Sequence, residues 1–312
     1  MLSLVVLVLI VLATLLAPIY ASLIARTDPF ESNLSGTVVL NGQTIRVIQP
    51  NATGLGATPI GPTWQAQYFI GADTQGRDVA ARLLYGGRAS LIVGTASAFT
   101  ACLLATMIGL FAGFSGGLID ATLSQLLDIV WAFPITLLAI SLSTVLLVQG
   151  LSIGPIEIDA GSLWLPVLII GLVYVPYVAR PVRGEVLSVR RRDYVEAAIA
   201  QGASRPRLLF LEILPNVLPS VLVIFPLIIA SCILTESALS FLSIGVQPPH
   251  ASWGTIVNDG QAQLYSRPMV SIAAGLMITI TILALNIFGD GVRDALDPRT
   301  KLRLTRRRRN LT

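Results

Sequence analysis

Asp193-Tyr194-Val195-Glu196-Ala197-Ala198-Ile199-Ala200-Gln201-Gly202 lies in an arginine-rich connector, 180–215, between two apolar runs long enough to cross a bilayer. A mostly apolar chain has placed its most water-compatible internal segment here. The connector therefore reads as a docking surface for a partner in the aqueous phase. The only lysine, Lys301, follows Arg299-Thr300, so the chain has no Gly-Lys-Ser/Thr phosphate loop. Any ATP-driven work would need another subunit to bind the nucleotide.

Composition agrees with a membrane setting. Hydrophobic residues make up 54% of the 312 and charged residues 12%, against about 25% charged in a soluble domain. The fold class expected is all-α, a polytopic membrane protein with six transmembrane helices. Cys102 and Cys232 both fall in apolar runs and read as small buried hydrophobes. The one histidine, His250, excludes a two-histidine metalloprotease helix. No catalytic residue, metal or cofactor is expected.

The six spans are 2–25, 90–114, 121–148, 163–179, 217–234 and 269–288. The first holds no charge and reaches about 36 Å at about 1.5 Å per residue, enough for a hydrocarbon core of about 30 Å. A signal peptide is the rival reading, but no basic leader precedes Leu2. Pro219 and Pro226 are expected to kink the fifth span. The spans divide the chain into a first helix 1–25, an extracytoplasmic segment 26–89, a transmembrane domain 90–290 and a basic tail 291–312.

Orientation follows from the arginines. With both termini on one side, that side holds Arg180, Arg183, Arg190, Arg191, Arg192, Arg205 and Arg207, and in the tail Arg293, Arg299, Lys301, Arg303 and Arg306 to Arg309. The other side holds Arg26, Arg46, Arg77, Arg82, Arg88 and Arg267. The basic side reads as cytoplasmic. Arg82 and Arg88 sit just outside the second span, so 79–88 is expected as a short interfacial helix with its arginines reaching toward headgroups. The run Arg306–Arg309 reads as an orientation signal touching anionic lipid, with no nucleic-acid partner expected. Between the first two spans, 37–40 and 43–48 flank Asn41-Gly42, a hairpin signal. Two strands alone are marginal, so this hairpin should lean on a neighbour.

Within the connector, Asp193 followed by Glu196 resembles a capping-box helix start. Tyr194 to Gln201 then forms a short helix that Gly202 ends in a left-handed turn. Ser204 and Pro206 start a second helix through Leu208, Leu209 and Leu211 to Pro215. The result is a helix-turn-helix finger.

These residues resemble a known family. Glu196-Ala197-Ala198, three residues, Gly202 and then Leu214-Pro215 match the EAA loop of bacterial ABC-importer permeases. The family pattern has Ile where this chain has Glu212, with Ile213 one place later. Further motifs resemble the second, C-type permease of the dipeptide/oligopeptide/nickel branch. They are Gly71-Ala72-Asp73-Thr74-Gln75-Gly76-Arg77-Asp78, Gly113-Phe114-Ser115-Gly116-Gly117, Gly245-Val246-Gln247-Pro248-Pro249 with Ser252-Trp253-Gly254, and residues 289–299. The resemblance covers about 69–299. It implies the type I importer permease fold, a second homologous permease as partner, two ATP-binding subunits, and an extracytoplasmic solute-binding protein. It also implies that Asp193, Glu196, Ala197, Ala198, Gly202 and Pro215 couple ATPase motion to the bundle. Segment 28–67 departs from the family's usual link, and no function carries onto it.

Three rival readings are a secondary transporter or channel, an intramembrane enzyme, and a membrane anchor. The first has no need of an ATPase-fitting finger. The second wants a nucleophile–base pair at membrane depth, whereas Asp128 is the only acid well inside a span. A lipid-facing Asp128 would cost on the order of 2.5–3.5 kcal/mol, so it should pair within the bundle or line the pathway. Glu236 reads either as an interfacial helix end or as part of a polar pathway. Trp253 is the candidate contact for the binding protein, against an ordinary interfacial tryptophan.

Overall fold

Asp78 starts the longest helix. Its carboxylate accepts from the amides of Ala80 and Ala81 at 2.9 and 3.2 Å, capping α3, Val79–Ser115. In the computed structural model, residues 1–40, 42–50 and 56–296 are described. Asn41, residues 51–55 and the basic residues from 297 onward lie outside them. Residues 291–296 of the expected tail continue the last helix.

The helices follow in chain order. A first stretch, α1 (Leu2–Leu15) and α2 (Ala17–Ile19), passes into a π-helical turn, Tyr20–Ala25. After α3 come α4 (Gly117–Trp131), α5 (Ile135–Gln149) and α6 (Trp164–Val189). The finger has α7 (Asp193–Ala200) and α8 (Arg205–Arg207), the latter running through a π turn, Leu208–Ile213, into α9 (Leu214–Phe241). Two further helices, α10 (Trp253–Gln261) and α11 (Met269–Leu296), complete the bundle. Four helices are long and apolar enough to cross a membrane, and six spans result if each of two bent pairs counts as one.

Both bends sit at prolines. The first span turns by 48° beside Pro18. The third, expected as one helix, breaks by 86° between α4 and α5. Pro134 has no N–H and excludes helical backbone just before it. Each 15-residue piece reaches only about 22 Å. The fifth span shows the converse. Its helix runs from Leu214 to Phe241 without interruption through Pro219 and Pro226. Distortion instead appears one turn earlier, in the π turn that holds Leu211, the residue whose carbonyl Pro215 cannot bond.

Two other expectations change. The interfacial helix at 79–88 is the first part of α3, continuous with the second span. Arg180 and Arg183, expected in the connector, ride on α6.

The core is built on α3 against α6, with α9 behind. Small residues allow the closest approach: a Cβ on Gly109 would sit 2.8 Å from the Ala179 carbonyl oxygen, and one on Gly113 3.1 Å from that of Arg183. Close packing of this kind holds helices together where lipid supplies no hydrophobic contrast. Residues 26–78 form a separate small layer. Strands β1 (Thr37–Leu40) and β2 (Gln43–Arg46) pair antiparallel with Leu40 opposite Gln43, as the Asn-Gly signal predicts. Strands β3 (Ile48–Pro50) and β4 (Ala57–Pro59) form a second hairpin. The hairpin does lean on a neighbour: Val38, Val47, Ile60, Tyr68 and Ala72 make a small core of their own. A third hairpin, β5 (Leu151–Ile153) and β6 (Ile156–Ile158), links α5 to α6.

Candidate functional site

The finger opens on Arg192, whose extended backbone precedes α7. No side chain caps this helix, so the expected capping box does not form. Asp193 is already helical, and it lies with Glu196 in the first turn, where the helix dipole favours negative charge. The other end fits expectation. Ala203 donates to the Ala198 carbonyl at 3.0 Å and Gly202 to that of Ile199 at 2.9 Å, with Gly202 at φ +80°. These two bonds make a Schellman closure, which a left-handed glycine allows. An added Cβ at Gly202 would meet nothing within 4 Å, so backbone conformation rather than crowding favours glycine.

Burial divides the finger into a root and a tip. Val195, Leu208, Leu209 and Ile213 are buried against the bundle. Glu196, Ala197, Gly202 and Pro215 are exposed and Ala198 half-buried, with Tyr194 and Ile199 offering 42% and 54% of their surface. The one-place offset at Glu212 also has a physical account. A π turn holds one more residue than an α turn, so Ile213 reaches the interior and Glu212 is left half-exposed.

Three arginines on or just after α6 join the helix that precedes the finger to α3 and α4. Arg183 forks onto Asp120, with Nη2 at 2.7 Å from Oδ2. Arg190 donates to the carbonyls of Gly113 and Phe114 at 3.1 and 3.0 Å, at the C-terminal end of α3. Arg180 pairs with Asp128 and lies over the Trp131 ring at 4.1 Å. That ring stacks on Tyr177 at 4.2 Å. Asp128 thus has a partner in Arg180 while remaining exposed.

Glu236 and Trp253 do not sit where the sequence suggested. Glu236 is fully enclosed and accepts from Ser240 at 2.7 Å, Ser90 at 2.9 Å and Ser237 at 3.4 Å. The serines relay outward: Ser90 Oγ accepts from the Trp253 amide, and Ser240 Oγ from that of Val246. Trp253 is likewise enclosed, its indole donating to the Leu83 carbonyl at 3.0 Å. A ring with no free surface cannot touch a receptor, and a carboxylate bonded by serines lines no open channel in this conformation. Both residues hold α10 against α3 and α9.

Sequence reasoning missed α10 and the ion cluster that anchors it. Ser252 and Thr255 form a reciprocal capping box, a legible signal three residues apart. Asp259 of α10 binds Arg82 at 2.7 Å and Arg77 at 3.0 Å, and both arginines also pair with Asp73. Arg82 is therefore buried in protein rather than reaching for headgroups. Burial pushes the Asp259 carboxyl above the usual range, while Arg82 and Arg77 pull it back.

Comparison with known proteins places this geometry. Residues 105–302 match the family described as binding-protein-dependent transport system inner membrane component. The chain belongs to that family. It is a membrane permease component, with the type I importer fold. The oligopeptide transport system permease protein OppC of Haemophilus influenzae is 39% identical over 241 residues, 77% of this chain and 73% of that protein. The dipeptide transport system permease protein DppC of Alkalihalophilus pseudofirmus is 38% identical over 236 residues, covering 76% and 73%. Among solved structures, the inward-facing MetNI methionine ABC transporter matches with a TM-score of 0.55 at 16% identity, over 69% of this chain and 96% of that one. That likeness concerns the fold alone.

Proposed function

We propose that this permease pairs with a second, homologous permease to form a pathway for peptides or a related small solute, driven by two ATP-binding subunits and fed by an extracytoplasmic binding protein. The exposed finger carries the proposal. Asp193, Glu196, Ala197, Ala198 and Gly202 form a rigid tip with small side chains at its centre, and Pro215 follows where the finger joins the fifth span. Closure of the ATPases moves the tip, and the buried root passes the motion into α9 directly, because α8, the π turn and α9 form one 37-residue helical segment. The names of the peptide permeases above support the substrate class.

The chain itself does no chemistry in this reading. ATP hydrolysis belongs to the partner subunits, and the finger and both termini face the cytoplasm. Asp128, exposed beside Arg180, remains the candidate pathway-lining residue. Reconstitution of the two permeases and two ATPases in vesicles with the receptor tests the scheme. The expected result is receptor-dependent peptide uptake that stops without ATP. Uptake that follows an ion gradient with the ATPases omitted would favour a secondary transporter and refute it.

A further inference from the structure

The pair between Asp128 of α4 and Arg180 of α6 lies well inside both helices. From Gly117, at the α3–α4 corner, to Asp128 the chain rises about 16 Å. From Arg180 to Arg190, which bonds the end of α3, it rises about 15 Å. The two rulers agree, so the pair stands a similar distance from that corner on each helix. Its neighbours along α4, Leu126 and Ile129, are exposed and apolar. Yet the side chains of Asp128 and Arg180 keep 62% and 39% of their own surface open. Charges so exposed on a membrane helix are costly against lipid, so this face meets water or protein in the assembled transporter.

The neighbouring pair shows what a closed fastening looks like. Arg183 forks onto both oxygens of Asp120, whose side chain is largely enclosed. Arg180, by contrast, reaches Asp128 through Nη2 and Oδ1 alone. A guanidinium offers five N–H groups. The other donors of Arg180, and Oδ2 of Asp128, have no partner among the described residues. The guanidinium is held in place all the same. It lies over the Trp131 ring at 4.1 Å, and that ring stacks on Tyr177 at 4.2 Å. A fixed cation beside a fixed anion, each with bonding capacity left over, complements a solute that carries both charges. We infer, resting on the reading of this chain as a peptide permease, that Asp128 and Arg180 bind the two termini of a short peptide in transit. The peptide's carboxylate takes the unclaimed donors of Arg180, and its ammonium takes Oδ2 of Asp128. Two residues of extended chain span roughly 7 Å at most, which suits a dipeptide to two adjacent groups. The site also lies on the driven part of the molecule. Helix α6 ends at Val189, just before the finger, so motion of the finger shifts Arg180 against α4.

Two readouts on the full transporter complex test the site. In vesicles with the receptor, uptake of Ala-Ala is compared with uptake of its C-terminal amide, each at a concentration that saturates the receptor. The same receptor serves every variant, so its own preference cancels. The neutral double variant Asp128→Asn with Arg180→Gln should lower the preference for the free acid by about tenfold. Asp120→Asn with Arg183→Gln should lower uptake of both peptides alike and leave their ratio unchanged. The second readout needs neither transport nor receptor. Phenylglyoxal should modify Arg180 in the assembled complex, as read by mass spectrometry of its fragments. Millimolar Ala-Ala should slow that reaction, and the amide should not. An unchanged uptake ratio in the assembled double variant, or equal slowing by both peptides, would overturn the site. Arg180 that reacts only after the two permeases are separated would also overturn it, by assigning the pair to their interface. A wild-type complex without ATP-dependent uptake would refute the functional reading instead, and the phenylglyoxal result would still decide the site.

Discussion

At residue scale, Gly202 separates conformation from crowding. Its φ of +80° is open to glycine and, at small cost, to asparagine. A β-branched residue there is strained by roughly 1–2 kcal/mol or more, and open space around the position removes any steric explanation. Gly202→Val should therefore lower substrate uptake per ATP hydrolysed in reconstituted vesicles, while Gly202→Asn stays near wild type. Equal coupling in both variants would mean that the turn merely ends a surface helix. Glu236 gives a second case. Glu236→Leu takes the acceptor from Ser90 and Ser240, and each buried donor left unpaired costs about 1–3 kcal/mol. Glu236→Gln keeps an acceptor and should cost less. Thermal melting of the detergent-solubilised complex would rank the two, and the reverse order would contradict a positioning role for this carboxylate.

At element scale, the α3–α6 contact and its arginine fastenings should respond differently to substitution. Gly113→Val places carbon against Val186 and the Arg183 carbonyl, and overpacking of this kind costs about 1–3 kcal/mol. Gly184→Ala on the facing helix α6, where a Cβ meets nothing, is the control without overpacking. The Arg183–Asp120 fork is partly exposed, so each single truncation should cost a modest amount. Its value lies in geometry: the fork ties α4 to the helix that precedes the finger. A double-mutant cycle with Arg183→Met and Asp120→Asn, read in melting temperature and in uptake per ATP, should show a favourable coupling energy. Additive losses in both readouts would mean that the pair is incidental.

At the scale of the whole molecule, what was legible follows the kind of physics involved. Lipid-spanning segments announce themselves through unbroken apolar length, so all six runs lie on helices. The finger was legible because a glycine-closed turn and its flanking helices are local. Tertiary events were not. The third span was expected as one helix but breaks by 86° before Pro134, whereas Pro219 and Pro226, expected to kink the fifth, lie inside an uninterrupted helix. The roles of Glu236, Arg82 and Trp253 depend on partners about 150 residues or more distant in sequence, among them Ser90, Asp259 and Leu83. Orientation is a property of the whole chain, and it rests on a fifteen-to-six division of basic residues between the two sides. Arg191, exposed at the base of the finger, and Val39, exposed on the first hairpin, lie on opposite sides in this scheme. Both native cysteines are free and buried, so they leave little background for thiol labelling. In spheroplasts, a membrane-impermeant maleimide should label Val39→Cys at once and Arg191→Cys only after permeabilisation. The opposite pattern would invert the topology and move the finger away from the ATP-bearing compartment, removing the basis for coupling.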